Sequence, residues 1–259
     1  MRLSRLRDHW NELGRRDPLW AILTSPDKSE NRWSIEEFLA TGEAEISTLM
    51  TYLAHVGVNV GRRRALDFGC GAGRLTRPLS QYFAEVVGVD IAPSMIDLAR
   101  RLHSDVPQCR FMLNESPDLG GCSSETCDFV YSRLVLQHIH PRYVRKYLSE
   151  FMRVLVPGGV MVFQLPSDEV APVQGRGIKN FIPLPVIAML RAARRATTFP
   201  RMEVHGLRRT QVEELLTRLG GRVIDVIEDR VHGANTPGFQ YCVLKAIGPS
   251  KPAERYPPI

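Results

Sequence analysis

The 259-residue sequence predicts an α/β fold organised as a doubly wound, mostly parallel sheet. Three observations carry that expectation. Five apolar, strand-like runs alternate with amphipathic helical stretches between residues 64 and 163. The first of these runs leads into a turn with glycines at alternating positions, Gly69, Gly71 and Gly73, in the stretch ALDFGCGAGRLTRPL. The last two runs, 222–229 and 239–246, are joined by a link too short for a helix, which suits an antiparallel pair.

The elements follow in order. Trp33-Ser34-Ile35-Glu36-Glu37-Phe38 combines a capping box, Ser34 with Glu37, and a hydrophobic staple of Trp33 on Phe38, so a helix starts there. Gly42 is expected to interrupt it. A second helix, with Ile46, Leu49, Met50 and Leu53 on one face, is expected to stop at Gly57. Then come a strand over 64–68, a helix over 74–83, a strand over 85–90, a helix over 94–103 opened by Ser94 with Asp97, and a strand over 109–113. After a polar loop at 114–126, a strand over 127–132 leads to a helix over 141–155, with Pro141 in its first turn. Pro157-Gly158-Gly159 is expected to end that helix, and Val160 to Phe163 reads as the fifth strand. Thr210 with Glu213 opens a helix that ends at Gly220, ahead of the last two strands. The chain thus divides into a helical cap (1–44), a ligand-binding core (45–165), an insertion (166–209), the rest of the sheet (210–246) and a loose tail (247–259).

Composition sets outer bounds. With 44% hydrophobic and 24% charged residues and a net charge of +6, the chain can bury one sizeable core with an appendage. No apolar stretch reaches the roughly 18 residues that suggest a membrane span, and MRLSRLRDHWNELGRRD lacks the apolar core of a secretory signal. Five cysteines (Cys70, Cys109, Cys122, Cys127 and Cys242) without a C-x-x-C point to a reducing cytoplasm and away from a zinc site.

At the glycine turn, missing Cβ atoms let a ligand touch the backbone. A dinucleotide fingerprint would place its third glycine where Arg74 stands, and no Lys-Ser or Lys-Thr follows as in a phosphate cradle. The next strand, Glu85-Val86-Val87-Gly88-Val89-Asp90, ends in an acid 23 positions beyond Asp67. That is near the roughly 20-residue offset at which a carboxylate grips ribose hydroxyls. Alone, the turn could reflect tight packing and Asp90 a helix cap; together they read as a nucleoside site.

DFGCGAGR, GVDIAPSMIDLAR, CDFVYSRLVLQHI and FMRVLVPGG resemble, in order and spacing, the successive motifs of class I S-adenosylmethionine-dependent methyltransferases of the small-molecule type. The resemblance covers residues 60–166 closely and the rest more loosely. It implies a Rossmann-like methyltransferase fold of seven strands with a reversed edge hairpin, and S-adenosylmethionine as cofactor. In such a site Asp67 would reach the ammonium of the methionine end, directly or through water, the Gly69 and Gly71 backbones would line it, and Arg74 would pair with the carboxylate. Asp90 would take the ribose hydroxyls, with Ile91 and Met95 on the adenine face. Asn114 stands where the family often has an aspartate that accepts the adenine amino group, a bond an asparagine carbonyl also accepts. Glu115 would add a backbone contact, and Ser132 would face the methionine moiety.

A sulfonium is already activated, so transfer needs an in-line acceptor and, for a hydroxyl or protonated amine, a base. His138 matches a position where many related enzymes carry histidine and is the candidate base; the alternative is a hydrogen-bonded histidine that shapes the pocket. His205 and His232 are secondary candidates, and Cys122 and Cys127 stand before the strand, away from a catalytic position. Tyr131-Ser132-Arg133-Leu134 replaces the N-P-P-Y or D-P-P-Y turn of enzymes that methylate exocyclic amines, and no metal cluster is visible. The expected acceptor is a small molecule or a glycan or lipid precursor, methylated on oxygen ahead of nitrogen or carbon.

The 166–209 insertion leaves the carboxyl end of the fifth strand, where ligands bind in open parallel sheets. Its FIPLPVIAML segment at 181–190 reads as a packed helix, an acceptor lid or a membrane-touching element. Six arginines (Arg191, Arg194, Arg195, Arg201, Arg208 and Arg209) against Glu203 alone form a basic face that suits solvent, an anionic acceptor or anionic lipid. Phe199 is the one aromatic among them, which disfavours nucleic acid. An RNA methyltransferase and a catalytically silent cofactor-binding partner protein are the remaining alternatives.

Overall fold

Alternating apolar strands and amphipathic helices run through the computed structural model, which describes residues 2–167, 202–230 and 237–248. The strands are β1 (Arg64–Phe68), β2 (Glu85–Asp90), β3 (Cys109–Leu113), β4 (Cys127–Ser132), β5 (Leu155–Pro166), β6 (Gly221–Arg230) and β7 (Pro237–Lys245). They form one sheet in the order β3-β2-β1-β4-β5-β7-β6. β1 to β5 pair in parallel, and β7 runs antiparallel between β5 and β6. The doubly wound sheet with a reversed edge hairpin is therefore the fold of this chain.

The two-residue period of the strands sorts the core into two layers. Leu66, Val130, Met161 and Phe163 face α6 (Pro141–Val154), where Val144, Tyr147, Leu148 and Phe151 meet them, and α7 (Arg209–Arg218) adds Val212 and Leu216. Ala65, Phe129, Val160 and Val162 point the other way, onto Ile46, Leu49, Met50 and Leu53 of α3 (Ile35–His55). Each large apolar side chain buried this way contributes about 1.5–3 kcal/mol. Among the described residues the other α-helices are α1 (Leu3–Arg16), α2 (Pro18–Ile22), α4 (Thr76–Leu79) and α5 (Pro93–Leu102).

The capping box of Ser34 and Glu37 forms, and the Trp33 and Phe38 rings meet edge to face 6.1 Å apart. Several expectations are corrected. Gly42 does not interrupt α3, which runs unbroken for 21 residues, so the expected boundary at 44/45 falls inside a helix. A Cβ at Gly42 would lie 2.1 Å from the carbonyl oxygen of Arg74, so this glycine serves a close crossing. The roughly 1 kcal/mol helix penalty of glycine is outweighed by packing.

The helix expected over 74–83 shrinks to Thr76–Leu79: Pro78 has no N–H for the Arg74 carbonyl, and past Leu79 the chain turns to i→i−3 bonds, from Ser80 N to Arg77 O, Gln81 N to Pro78 O and Tyr82 N to Leu79 O. Ser94 does not cap α5 with its side chain; Asn11 of α1 does that work, its Oδ1 accepting from Ser94 N at 2.9 Å. Thr210 lies inside α7, whose first residue is Arg209, and no side-chain cap bond forms there. Pro157-Gly158-Gly159 belongs to β5, which starts directly at Leu155. A register shift against β4 absorbs the three residues as a bulge, with Gly158 at φ +79°.

The 181–190 segment, and Arg191, Arg194, Arg195 and Arg201 of the basic stretch, lie outside the described residues, as do His232 and the tail from 249. Among the described residues no helix is long and apolar enough to cross a membrane.

Candidate functional site

Beyond the carboxyl ends of β1, β2 and β4 the glycine turn bounds a cavity of about 770 Å³, within the range of small-molecule sites. Gly69, Gly71 and Gly73 take φ values of +76°, +52° and +83°, so the turn needs residues without a Cβ. Backbone bonds from Gly69 N (2.7 Å) and Cys70 N (3.0 Å) to Val89 O tie it to β2. The Asp90 carboxylate completes the tie: one oxygen accepts from Gly71 N at 2.9 Å and the other from Ala92 N at 2.8 Å. A carboxylate oxygen can accept two bonds, so the group retains acceptor capacity, and Asp90 lines the cavity. Burial raises the Asp90 pKa, against those backbone donors.

Of the residues singled out in the sequence, Gly69, Gly71, Arg74, Asp90, Ile91, Met95, Asn114 and His138 line the cavity. Three do not. Asp67 is 1% exposed and sits behind the turn, its carboxylate accepting from the Thr76 hydroxyl at 2.6 Å; burial pushes its pKa up to about 7. Ser132 is buried and ties β4 to β1 by donating to Phe68 O at 3.1 Å. Glu115 points to α1, where it pairs with Arg7 at 3.0 Å.

At one end the wall carries charge. Arg74 is 3% exposed and donates to Glu45 of α3 at 2.8 Å and more weakly to Thr41 at 3.4 Å. Its Nε is buried with no hydrogen-bond partner. The other Glu45 oxygen accepts from the Tyr131 hydroxyl at 2.9 Å, and Arg133, which is paired with Asp229, lies 3.8 Å from it. At the other end Asn114 donates from its amide nitrogen to the carbonyls of Ser116 (3.2 Å) and Asp118 (2.8 Å), and its carbonyl lies 3.2 Å from the Ser116 hydroxyl, from which it accepts.

His138 occupies the apolar stretch between. Its Nδ1 lies 2.9 Å from the carbonyl oxygen of Glu203, so Nδ1 carries the proton; Nε2 then accepts from the Gln137 amide at 3.0 Å. Burial pushes its pKa down to about 4, and Trp10 of α1 packs edge-on at 5.0 Å. The expected general base therefore has no free lone pair in this arrangement; the geometry is that of the hydrogen-bonded, pocket-shaping alternative. His205 lies off the cavity wall, beside Glu203 at 3.5 Å. The Cys127 thiol is pushed up to about 11 by burial, away from thiolate chemistry.

Trp10, Ile22, Glu45 and Tyr147 also line the cavity and were not singled out in the sequence. The amphipathic spacing of Leu3, Leu6, Trp10 and Leu13 was the available signal for α1. Glu45 offered none, because its place depends on how α3 crosses the turn.

Residues 66–163 match the methyltransferase-domain family. The chain is 33% identical over 100 residues to the ubiquinone biosynthesis O-methyltransferase of Cereibacter sphaeroides, covering 38% of this chain and 39% of that protein. It is 32% identical over 112 residues to the trans-aconitate 2-methyltransferase of Methylobacterium radiotolerans, covering 42% of this chain and 40% of that protein. The chain thus spans about half or less of the length of the curated relatives it matches. The fold resembles that of the magnesium protoporphyrin IX methyltransferase of Synechocystis PCC 6803, solved with bound S-adenosylhomocysteine, at a TM-score of 0.62 over 94% of this chain and 99% of that one. At 16% identity that likeness is one of fold.

Proposed function

The chain carries a class I, Rossmann-like methyltransferase domain, and we propose that it binds S-adenosylmethionine in the cavity beside the glycine turn and methylates a small acceptor. The observation that carries this reading is the junction of turn and strand: Asp90, whose carboxylate is held by Gly71 N and Ala92 N, lines the cavity.

The residues present fit that cofactor. A Cβ at Gly71 would come within 2.6 Å of the Ile22 side chain, so α2 packs directly on the turn where that atom is missing. The unpartnered Nε of Arg74 is a buried donor awaiting an anionic group. Asp90 would take the ribose hydroxyls, Ile91 and Met95 the adenine face, Asn114 the adenine amino group, and Arg74 the carboxylate. Asp67 and Ser132 would act from behind, holding the turn and β4 in place.

Bound there, the cofactor supplies a methyl group on a sulfonium. The protein's own part is to orient and to exclude water: Trp10 and Ile22 close the cavity from the N-terminal side, and His138, neutral at physiological pH, forms part of the wall. In this reading proximity carries the transfer, through the effective concentration of an aligned acceptor. An oxygen acceptor is favoured by the absence of the N-P-P-Y or D-P-P-Y turn at Tyr131–Leu134 and by the O-methyltransferase among the relatives.

Turnover tests it. Protein incubated with methyl-labelled S-adenosylmethionine and a fractionated cell extract is expected to label a metabolite or lipid-precursor fraction, on oxygen. Label confined to RNA would move the assignment to an RNA methyltransferase. Cofactor binding without label in any fraction would favour a silent partner protein.

A further inference from the structure

We infer that Glu45 and Arg74 together read the zwitterionic amino-acid end of the cofactor, Glu45 taking the ammonium and Arg74 the carboxylate. This rests on the cofactor reading above. It moves ammonium recognition from the motif acid Asp67 to a residue of α3, outside the stretch that matches the family.

The geometry begins at Gly42. Because it has no Cβ, α3 crosses in contact with the backbone of Arg74, and this approach brings Thr41 and Glu45, one helical turn apart, onto the cavity wall. Asp67 cannot serve there: it is off the wall and engaged with Thr76. Glu45 is oriented by two donors, Arg74 at 2.8 Å and the buried Tyr131 hydroxyl at 2.9 Å. A carboxylate offers about four lone-pair positions, so it retains acceptor capacity. Arg74 uses its two terminal nitrogens on Thr41 and Glu45 and leaves Nε unfilled.

Two opposite charges side by side on one stretch of the cavity wall, with Arg133 held by Asp229 beyond them and Asp90 at the glycine turn, present the pattern of an α-amino acid, whose ammonium and carboxylate are one carbon apart. Each charge of the ligand then meets its opposite. The ion pair is neutral before binding and the zwitterion is neutral too, so no uncompensated charge is buried by the exchange. An alternative arrangement, in which the pair merely braces α3 against the turn, would leave the ligand's ammonium indifferent to Glu45.

Calorimetric titration with three probes separates these. S-adenosylhomocysteine carries the whole arm, its deamino analogue lacks only the ammonium, and 5′-methylthioadenosine lacks the amino-acid arm. Glu45→Gln keeps the hydrogen-bonding shape and removes the charge. It is expected to weaken S-adenosylhomocysteine by about tenfold or more, the size of a charge-assisted bond. Binding of the other two should stay within about threefold of wild type, which also shows that the variant is folded. An unchanged affinity for S-adenosylhomocysteine, or an equal loss for all three probes, overturns the inference and leaves Glu45 a structural brace. Wild-type protein that binds none of the probes overturns the cofactor reading itself, and this inference with it.

Discussion

His138 shows how a titratable side chain is made part of a wall. Its Nδ1 proton goes to the Glu203 carbonyl and its Nε2 lone pair to Gln137, so burial is affordable only for the neutral ring. A histidine whose folded pKa, about 4, lies below the unfolded value of 6.5 adds stability that is complete above pH 6.5 and is lost as pH falls toward 4, where the unfolded chain binds the extra proton. The loss is at most about 3 kcal/mol. Urea unfolding at pH 7 and pH 4.5 is expected to show a larger acid loss in the wild type than in His138→Gln. Equal losses would mean that the imidazole is not held neutral. Asp67 works with the opposite sign: its folded pKa, raised to about 7, favours the folded state at acid pH and opposes it as pH rises through 7. The two residues were legible in the sequence as site candidates; their burial was not, because it depends on partners at 203 and 76.

Elements are where local reading and tertiary structure part. The bounds of β1, β2, β3 and β4 coincide with the apolar runs in the sequence, because each run is closed by a glycine, an acid or a polar loop. Helix ends were harder to read. Ser94 and Thr210 have the composition of caps, yet α5 is capped by Asn11 from 83 residues away and α7 by no side chain. Gly42 is the sharpest case: locally a helix breaker, it is the contact that lets α3 reach the turn. Gly42→Val should therefore push α3 off Arg74, costing about 1–3 kcal/mol as overpacking does. Because Thr41 and Glu45 would move with the helix, affinity for S-adenosylhomocysteine should fall as well. Denaturant unfolding and calorimetry check the two effects; a variant as stable and as tight-binding as wild type would show that the crossing tolerates a side chain.

At the scale of the whole molecule, one parallel sheet with a reversed hairpin brings the motif-rich stretch 66–163 together with an N-terminal segment that carries no family signature. The sheet was legible because hydrophobic period and turn residues are local properties. The cavity was half legible: Gly69, Gly71 and Asp90 stand at strand ends and Ile91 and Met95 came with the family resemblance, while Trp10, Ile22 and Glu45 come from α1, α2 and α3 and reach the site only through docking. The docking of α1 rests on Asn11 with Ser94, Arg7 with Glu115, and Trp10 against His138, and that of α3 on Gly42 against Arg74.

The central claim is that this cavity is an S-adenosylmethionine site built on Asp90 and the glycine turn. Titration of the protein with S-adenosylhomocysteine in a calorimeter, wild type beside Asp90→Ala, tests it most directly. One equivalent is expected to bind with micromolar affinity, about −8 kcal/mol. Asp90→Ala is expected to lose about 1.5–3 kcal/mol, the worth of hydrogen bonds to a charged group. Wild-type protein that shows neither heat nor a thermal shift, or an Asp90→Ala variant that binds as tightly as wild type, would contradict it.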